Sequence, residues 1–234
     1  MQKTTTRQLT PLASFGGPLS NRVYLSIRNA IFALIYQPGE ILRKGEVCEI
    51  LGVSRSPVSE AVAKLANEGL VNVVPQAGTF ISRFSMAEIR EGAFMREALE
   101  LAAVEQVAQT ITDEQLDMLR SNLDLQRGLV NDQDTFAFFQ ADGEMHGLIL
   151  SFTGYENLAR MAEYSWVQVD RVRHLHLPSP GRIQETLIEH TAIVDAIAAR
   201  DSELARSVTR AHLGQLIKYL EPMEQERPEL FDAT

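Results

Sequence analysis

The stretch from Lys44 to Leu70, KGEVCEILGVSRSPVSEAVAKLANEGL, constrains the fold more than any other part of this chain. Apolar residues recur at helical spacing on both sides of Gly52, a residue type that enters a left-handed turn at little cost. Ser54 is a good N-cap, and Pro57 falls in the first helical turn, where no backbone N–H is needed. The pattern predicts two short helices joined by a tight turn. Outside their apolar faces lie two cations and two hydroxyls: Arg55, Ser56, Ser59 and Lys64.

This layout is typical of a helix-turn-helix whose second helix reads a DNA major groove. The alternative is an ordinary helical hairpin of an enzyme. Residues 71–74 and 79–81 then have the composition of two short strands, joined by a turn over 75–78. A two-stranded wing at this place favours DNA binding over a plain surface hairpin. Gly78 and Thr79 are expected to contact phosphate or the minor groove. Arg43 and Lys44 are candidate phosphate contacts, although a solvated surface charge is equally open for Arg43.

Residues 24–84 resemble the winged helix-turn-helix of GntR-type bacterial transcription regulators. The matching segments, in chain order, are YLSIRNAI, PGE, LGVSRSPV, EGLV and GTF. The resemblance implies that Arg55 contacts a base edge, most often guanine, and that a homodimer binds an inverted repeat of operator DNA. One position departs from the family, which usually has Arg after the Pro-Val pair, where this chain has Ser59. The operator is therefore expected to differ from the common family half-site.

The net charge of −9 at first argues against a DNA-binding protein, but its distribution reverses that argument. Residues 1–84 carry nine Lys and Arg against five Asp and Glu, whereas the remaining 150 residues carry 13 against 26. A basic N-terminal part on an acidic body is expected where only one part meets phosphates. The single cysteine, Cys48, fits a reducing cytoplasm, and no apolar run in the sequence approaches the roughly 20 residues of a membrane span.

Beyond residue 84 nearly every segment has a helical pattern, with start signals at Thr112 and Asp201. We predict a mainly α protein, in which a C-terminal all-α antiparallel six-helix bundle follows the winged helix-turn-helix and its supporting helix over 20–36. The predicted bundle helices are 86–109, 113–131, 134–151, 155–176, 181–199 and 201–220. The predicted domains are a flexible tail over 1–19, a DNA-binding domain over 20–84, an effector-binding and dimerisation domain over 85–222, and a C-terminal tail over 223–234.

Polar groups that need partners interrupt the apolar faces of three bundle helices. Asp142 and His146, four residues apart, share one face of a helix rich in apolar residues. His190 and His212 lie among apolar residues of two later helices. One carboxylate and three imidazoles can converge across these helices and hold zinc, nickel or a related divalent ion. The alternatives are an exposed i,i+4 pair and histidines that lie on the surface or form ordinary hydrogen bonds.

Residues 86 to about 220 resemble the all-helical FCD effector domain of the FadR branch, in its shorter VanR-like form. The segments that carry the resemblance are EIRE, REALELAA, EHTAI, AHL and the Asp-x-x-x-His spacing at residues 142–146. The resemblance implies a divalent metal ion, with zinc favoured over nickel, manganese or iron. Its ligands would be Asp142, His146, His190 and His212.

The same resemblance implies that Arg96 points into the cavity, where it can pair with a carboxylate of a small organic acid effector. A salt bridge to Glu100, four residues later, is the alternative. Arg171 and Arg173 are also candidate effector contacts, with surface exposure expected for at least one of them.

These observations predict a ligand-responsive transcriptional regulator, most simply a repressor, that binds operator DNA as a homodimer. Two other functions stay open. In a metal sensor the ion itself would be the signal. In a metal-dependent enzyme an ion with open coordination would activate water. Against the enzyme stand the attached DNA-reading module and the lack of an obvious general base beside the predicted ligands.

Overall fold

The computed structural model of the protein describes residues 7–176, 179 and 181–232, with side chains for all of them except 159, 160, 163–165 and 176. The chain divides into two compact units. One comprises the described residues up to Met86 together with those from Glu226 onward, and the other is Ala87–Gln225. Within the described ranges, no helix is both long and apolar enough to cross a membrane.

The first unit is a winged helix-turn-helix. Helices α1 (Leu19–Phe32), α2 (Lys44–Leu51) and α3 (Arg55–Asn67) precede an antiparallel pair of strands, β1 (Val71–Val74) and β2 (Gly78–Ile81). In this pair Val71 lies opposite Ile81 and Val74 opposite Gly78. Gly52 ends α2 with a φ of 65°, which confirms the predicted tight turn. The core of the unit consists of buried aliphatic side chains: Val23, Ile27, Ile31, Val47, Val58, Val62, Leu65 and Leu70.

The supporting helix α1 ends four residues earlier than the predicted 20–36. Leu34 adopts a left-handed φ of 54°, so the helical path cannot continue. The amides of Ile35 and Tyr36 turn back and donate to the Ala30 carbonyl at 2.9 and 3.2 Å.

The predicted tails need correction where the structure describes them. From Arg7 onward the N-terminal segment packs on the first unit, because Leu9 is buried and the Ser26 hydroxyl donates to the Thr10 carbonyl at 2.7 Å. Such contacts join residues distant in sequence, so composition alone could not reveal them. Residues 1–6 of this predicted tail, and residues 233 and 234 of the C-terminal one, lie outside the described residues.

The C-terminal segment 223–232 is also ordered. A helix continues through Pro222, and after it the amide of Phe84 donates to the Leu230 carbonyl at 2.9 Å. The rings of Phe84 and Phe231 lie 5.7 Å apart, and both are buried. Burial of Leu230 and Phe231 therefore fixes a segment whose prolines and acidic residues had indicated a tail.

The second unit consists of helices in its described part, as predicted. Their bounds are α4 (Met86–Thr110), α5 (Asp113–Asp132), α6 (Thr135–Phe152), α7 (Glu156–Ser165), α8 (Val167–His176), α9 (Arg182–Ala198), α10 (Ser202–Leu213) and α11 (Gln215–Glu226). Thr112 caps α5 through a capping box with Gln115, and Asp201 caps α10, which confirms both start signals. Two predicted helices are each divided in two, at Trp166 and at Gly214.

An apolar core joins the helices of this unit. Val104 and Val107 of α4, Leu119 of α5, Met145 of α6 and Ile193 of α9 belong to one cluster of buried side chains. Four of the predicted functional groups, Arg96, Asp142, His146 and His190, lie on α4, α6 and α9. The packing therefore holds α4, α5, α6 and α9 at fixed distances around a polar interior.

Candidate functional site

The exposed face of α3 carries the residues predicted to read DNA. Arg55, Ser56 and Ser59 are exposed at its N-terminal end, whereas Pro57 and Val58 are buried against the unit. Arg43 is exposed, Lys44 is half-buried and Gly78 lies exposed at the end of the wing. The local amphipathic pattern of α3 thus exposes one cation and two hydroxyls where a base edge or a phosphate can reach them.

Two of the predicted DNA contacts, Thr79 and Lys64, pack against other parts of the first unit. The side chain of Thr79 is buried, and its carbonyl accepts from the Leu42 amide at 2.8 Å, so this residue belongs to the wing's inner face. The ammonium of Lys64 lies 3.6 Å from the centre of the Tyr24 ring and 3.4 Å from the Asn21 amide oxygen. Lys64 therefore contacts α1, because its position on α3 faces that helix.

Glu60, on the exposed face of α3, was not predicted from the sequence as a DNA contact. It is exposed beside Ser59 and accepts a hydrogen bond from the Ser56 hydroxyl at 3.2 Å. A carboxylate at this place can accept from the exocyclic amine of cytosine. Its position one turn after Ser56 was the signal that could have revealed it.

Ser59→Arg is expected to change the preferred operator. The variant adds a guanidinium to the exposed reading face, where one bidentate base contact discriminates by about 1–3 kcal/mol. Selection of binding sites from random duplexes, run in parallel for both proteins, measures the change. Ser121→Arg is the matched control, because it adds the same charge to an exposed position of α5 and should leave the selected sequence unaltered. An identical consensus from Ser59→Arg would show that this position does not read bases.

The second unit brings three histidines together in its interior. His146 of α6, His190 of α9 and His212 of α10 each offer one ring nitrogen, and these atoms lie within 4.8 Å of one another. His212 Nε2 is 3.3 Å from His146 Nε2 and 3.4 Å from His190 Nε2. All three side chains are buried. The alternative of surface histidines is thereby excluded by the structure.

Each imidazole is oriented by an acceptor at its other nitrogen. Glu100 Oε2 lies 2.6 Å from His146 Nδ1, and Gln126 Oε1 lies 2.8 Å from His190 Nδ1. Glu189 Oε2 lies 2.6 Å from His212 Nδ1. An acceptor at Nδ1 favours the tautomer with its proton there, so the lone pairs of all three Nε2 atoms face the same point. Metal-binding histidines have this arrangement, and the site fits a divalent ion such as zinc.

The electrostatics of the cluster keep the ligand nitrogens available. Burial, reinforced by the neighbouring imidazoles of His212 and His146, holds the pKa of His190 well below its usual range. Burial lowers the pKa of His212 to about 4, even though the hydrogen bond to Glu189 opposes that shift. Burial would raise the pKa of Glu189, but hydrogen bonds from His212 and Arg182 hold it at about 2. Neutral imidazoles and ionised carboxylates are the forms that a metal site requires.

Asp142 lies beside this cluster without being one of the three convergent groups. Its Oδ1 is 3.3 Å from His190 Nε2, and its Oδ2 contacts the guanidinium of Arg173. The carboxylate is buried, and neither oxygen has a hydrogen bond of acceptable geometry within the described chain. A buried carboxylate with spare lone pairs next to three imidazoles is consistent with the predicted fourth ligand.

A cavity adjoins the cluster. It is lined by polar and apolar side chains of α4, α6, α8, α9, α10 and α11: Arg96, Asp142, Arg173, Arg182, Thr186, His212, Leu213 and Leu216. Two of the three predicted effector contacts, Arg96 and Arg173, are among them. Arg171 is fully buried but does not line this cavity. Surface exposure was expected for Arg171 or Arg173, and both are buried, because α8 packs into the unit.

Arg96 forms the salt bridge to Glu100 and also lines the cavity, the two alternatives considered from the sequence. Its Nε donates to Glu100 at 2.5 Å, and the same side chain lines the cavity. Glu100 in turn holds His146, so Arg96, Glu100 and His146 form a continuous chain of contacts. A second chain with the same order joins Arg182, Glu189 and His212. The orientations of His146 and His212 therefore each depend on an arginine that lines the cavity.

The roles of Gln126, Glu189 and Arg182 in orienting the histidines were not predicted from the sequence. Gln126 interrupts the apolar face of α5 at helical spacing from Leu119 and Leu123, and that interruption was a detectable signal. Glu189 precedes His190 in the chain but serves His212, and Arg182 reaches Glu189 seven residues away. No local pattern distinguishes these two contacts from ordinary surface charges.

One unit of the chain is a winged helix-turn-helix whose helix α3 exposes residues that can read DNA, and the other unit encloses a polar cavity among helices. This combination defines a transcriptional regulator with a ligand-binding domain. Comparisons with known proteins agree. Residues 19–81 match the gntR family of bacterial regulatory proteins, and residues 91–215 match the FCD domain.

Two relatives extend over nearly the whole chain. The HTH-type transcriptional repressor RspR of Escherichia coli K12 is 30% identical over 228 residues, covering 97% of this chain and 98% of RspR. A transcriptional regulator from an unstable DNA locus of Streptomyces ambofaciens is 32% identical over 94% of this chain and 93% of its own length. The fold resembles that of Escherichia coli McbR/YncC, with a TM-score of 0.76 and 21% identity over 89% of this chain and 99% of that one.

The chain belongs to the GntR family of bacterial transcriptional regulators, in the group with an FCD domain. Proteins of this family bind DNA and effector metabolites, commonly as dimers. Both resemblances drawn from the sequence are thereby confirmed, as is the mainly α fold class. The two relatives are transcriptional regulators rather than enzymes, so the metal-dependent enzyme is set aside.

Proposed function

We propose that this protein is a cytoplasmic repressor that binds an inverted-repeat operator as a homodimer and is released by a small organic acid. The acid binds in the cavity of the FCD domain, next to a divalent metal ion for which zinc is the favoured identity. Domains over residues 20–84 and 85–222 divide these two tasks. The proposal rests above all on one observation: a buried cluster of three oriented imidazoles adjoins, at His212, a cavity lined by two buried arginines, Arg96 and Arg173.

The ion would be held by His146, His190 and His212, with Asp142 as the fourth ligand. When bound, it supplies a Lewis acid with open coordination positions for a carboxylate oxygen. The chain's own residues do the rest. Glu100, Gln126 and Glu189 orient the ligands, and the guanidinium groups of the cavity attract an anion into a buried, water-poor place where charge interactions are strong.

Arg96 connects the cavity to the metal ligands. An anion that binds the free Nη2 of Arg96 adds a second negative group to the guanidinium whose Nε holds Glu100, the group that orients His146. Effector binding can therefore alter the packing of α4 against α6. A coupling free energy of about 1–3 kcal/mol between effector and operator sites is enough to change operator affinity roughly 5- to 150-fold.

The test measures operator affinity in the presence of Zn²⁺ and a panel of small carboxylic acids. The operator is first selected from random duplexes with the purified protein. We expect one class of acid to weaken operator binding roughly 5- to 150-fold, and only when Zn²⁺ is present. Arg96→Gln should bind the operator normally but lose this response.

Arg90→Gln is the matched control, since Arg90 lies on the same helix but is exposed and pairs with Glu221. It should respond as the wild-type protein does. If Zn²⁺ alone changes operator affinity and no acid has an effect, the protein is a metal sensor. If neither Zn²⁺ nor any acid has an effect, the proposed effector site is wrong.

A further inference from the structure

We propose that the effector carries two anionic groups, and that its second group binds to Thr186, Arg182 and Arg96 on the wall of the cavity. This inference rests on the proposed function, which places the first group at the ion site. It assigns a role to donors that neither the metal site nor the fold uses.

Three buried donor atoms of the cavity wall have no hydrogen-bond partner within the described part of the chain: Arg96 Nη2, Arg182 Nε and Thr186 Oγ1. Arg182 and Thr186 are only 5% and 1% exposed. Buried donors of this kind almost always have a partner in a native protein, so a cavity lined by three of them is suited to an acceptor-rich ligand. An oxyanion can accept from all three.

Other donors of the two arginines are already engaged, which limits where the ligand group can lie. Arg182 Nη1 and Nη2 donate to Glu189 at 2.8 and 2.7 Å, and Arg96 Nε donates to Glu100 at 2.5 Å. Each guanidinium is thereby fixed in orientation. Their free nitrogens belong to residues of the cavity wall, so an anion can add to each without breaking the existing pairs.

The spacing along α9 separates the two binding points. Arg182, Thr186 and His190 are four residues apart in turn and share one face of the helix. A rise of 1.5 Å per residue places Thr186 about 6 Å from His190 along the axis. A ligand that reaches both the ion and Thr186 must therefore carry two acceptor groups separated by a short chain. Leu213 and Leu216 give the cavity an apolar wall against which that chain can pack.

The charge around the cavity points to a dianion. Arg96, Arg173 and Arg182 are matched by Glu100, Asp142 and Glu189, each in contact with one arginine. A divalent ion would add two positive charges to this balanced, buried set. Two anionic groups neutralise them, whereas one leaves a buried charge uncompensated. A short dicarboxylate, or a sugar acid with a second anionic group, has this chemistry.

The test compares diacids with monoacids of the same chain length on the Zn²⁺-loaded full-length protein. Isothermal titration calorimetry with succinate and glutarate, against butyrate and pentanoate, measures the preference directly. We expect at least one diacid to bind about 10-fold or more tightly than its monoacid, the effect of one charge-assisted hydrogen bond. Thr186→Val should lower diacid affinity by about 10-fold, leave monoacid affinity unchanged and retain Zn²⁺.

Thr209→Val is the matched control, because Thr209 is a buried threonine on α10 that does not line the cavity and whose hydroxyl also has no partner among the residues that the structure describes. It should bind all four acids as the wild type does. Equal affinities for diacids and monoacids, no binding of any diacid, or an unchanged preference in Thr186→Val would each overturn the inference. Elemental analysis of the wild-type protein for bound Zn²⁺ distinguishes failure of this inference from failure of the proposed function. A wild-type protein that holds no Zn²⁺ would overturn both.

Discussion

Arg55→Ala is expected to abolish operator-specific binding while leaving the fold intact. Arg55 is exposed at the N-terminal end of α3, and its side chain is not part of the unit's core. A bidentate contact between arginine and guanine contributes about 1–3 kcal/mol of discrimination. Two half-sites double that figure, so the dimer should lose roughly 30-fold to 20,000-fold in specific affinity. Fluorescence anisotropy with the selected operator measures it, beside a scrambled duplex of equal length.

Two further variants separate the possible causes. Arg43→Ala should weaken binding to operator and scrambled duplex alike, because a phosphate contact carries no sequence information. Arg120→Ala, at an exposed arginine of α5 paired with Asp117, should leave both affinities unchanged. Unchanged operator affinity in Arg55→Ala would show that α3 does not read the operator through this residue.

His190→Ala is expected to empty the metal site. His190 is fully buried at the centre of the cluster, and its Nε2 lies 3.4 Å from His212 Nε2 and 3.3 Å from Asp142 Oδ1. Loss of a ligand should reduce zinc affinity by more than the roughly 10- to 100-fold cost of losing an outer partner. Elemental mass spectrometry of Zn²⁺-treated, desalted protein should fall from about one ion per chain to a small fraction of that.

The design includes a milder variant and a matched control. Gln126→Leu keeps all three imidazoles but removes the acceptor that orients His190, together with the amide that donates to Asn122 at 2.7 Å, so its zinc affinity should fall by about 10- to 100-fold. His174→Ala removes a histidine that stacks on Phe139 and lies outside the cluster, so its zinc content should match the wild type. Circular dichroism checks that each variant is folded. Full zinc occupancy in folded His190→Ala would mean that other groups hold the ion.

The DNA-reading half of the protein was largely predictable because its signals are local. Gly52 and Pro57 act on the backbone within a few residues, and helical periodicity decides which side of α3 is exposed. Ser54 occupies the N-cap position of α3 as predicted, although its side chain makes no capping hydrogen bond. Thr79 and Lys64 were the exceptions. Whether a wing threonine points inward, or a lysine lies on a neighbouring aromatic ring, depends on contacts between elements, and no short-range pattern encodes them.

Helical periodicity identified the three histidines of the metal cluster but not the residues that orient them. His146, His190 and His212 were identifiable because each is polar on an apolar helical face, and a buried polar group needs a partner. The partners themselves were not identifiable. Glu189 adjoins His190 in sequence yet orients His212 on another helix, and Arg182 joins it from two turns earlier.

The sequence by itself thus determined most of the helical segments, the turn between α2 and α3, and four polar residues on apolar helix faces, Asp142, His146, His190 and His212, because these follow from backbone propensities and amphipathic spacing. Only the tertiary structure decided which buried faces meet. Packing of α4, α5, α6 and α9 brings Glu100, Gln126 and the histidines within hydrogen-bond distance, and it places Arg182 and Thr186 on the cavity wall. Helical periodicity shows which side of a helix is buried, but it does not show which other helix packs against that side. A site built from several helices therefore depends on how those helices pack.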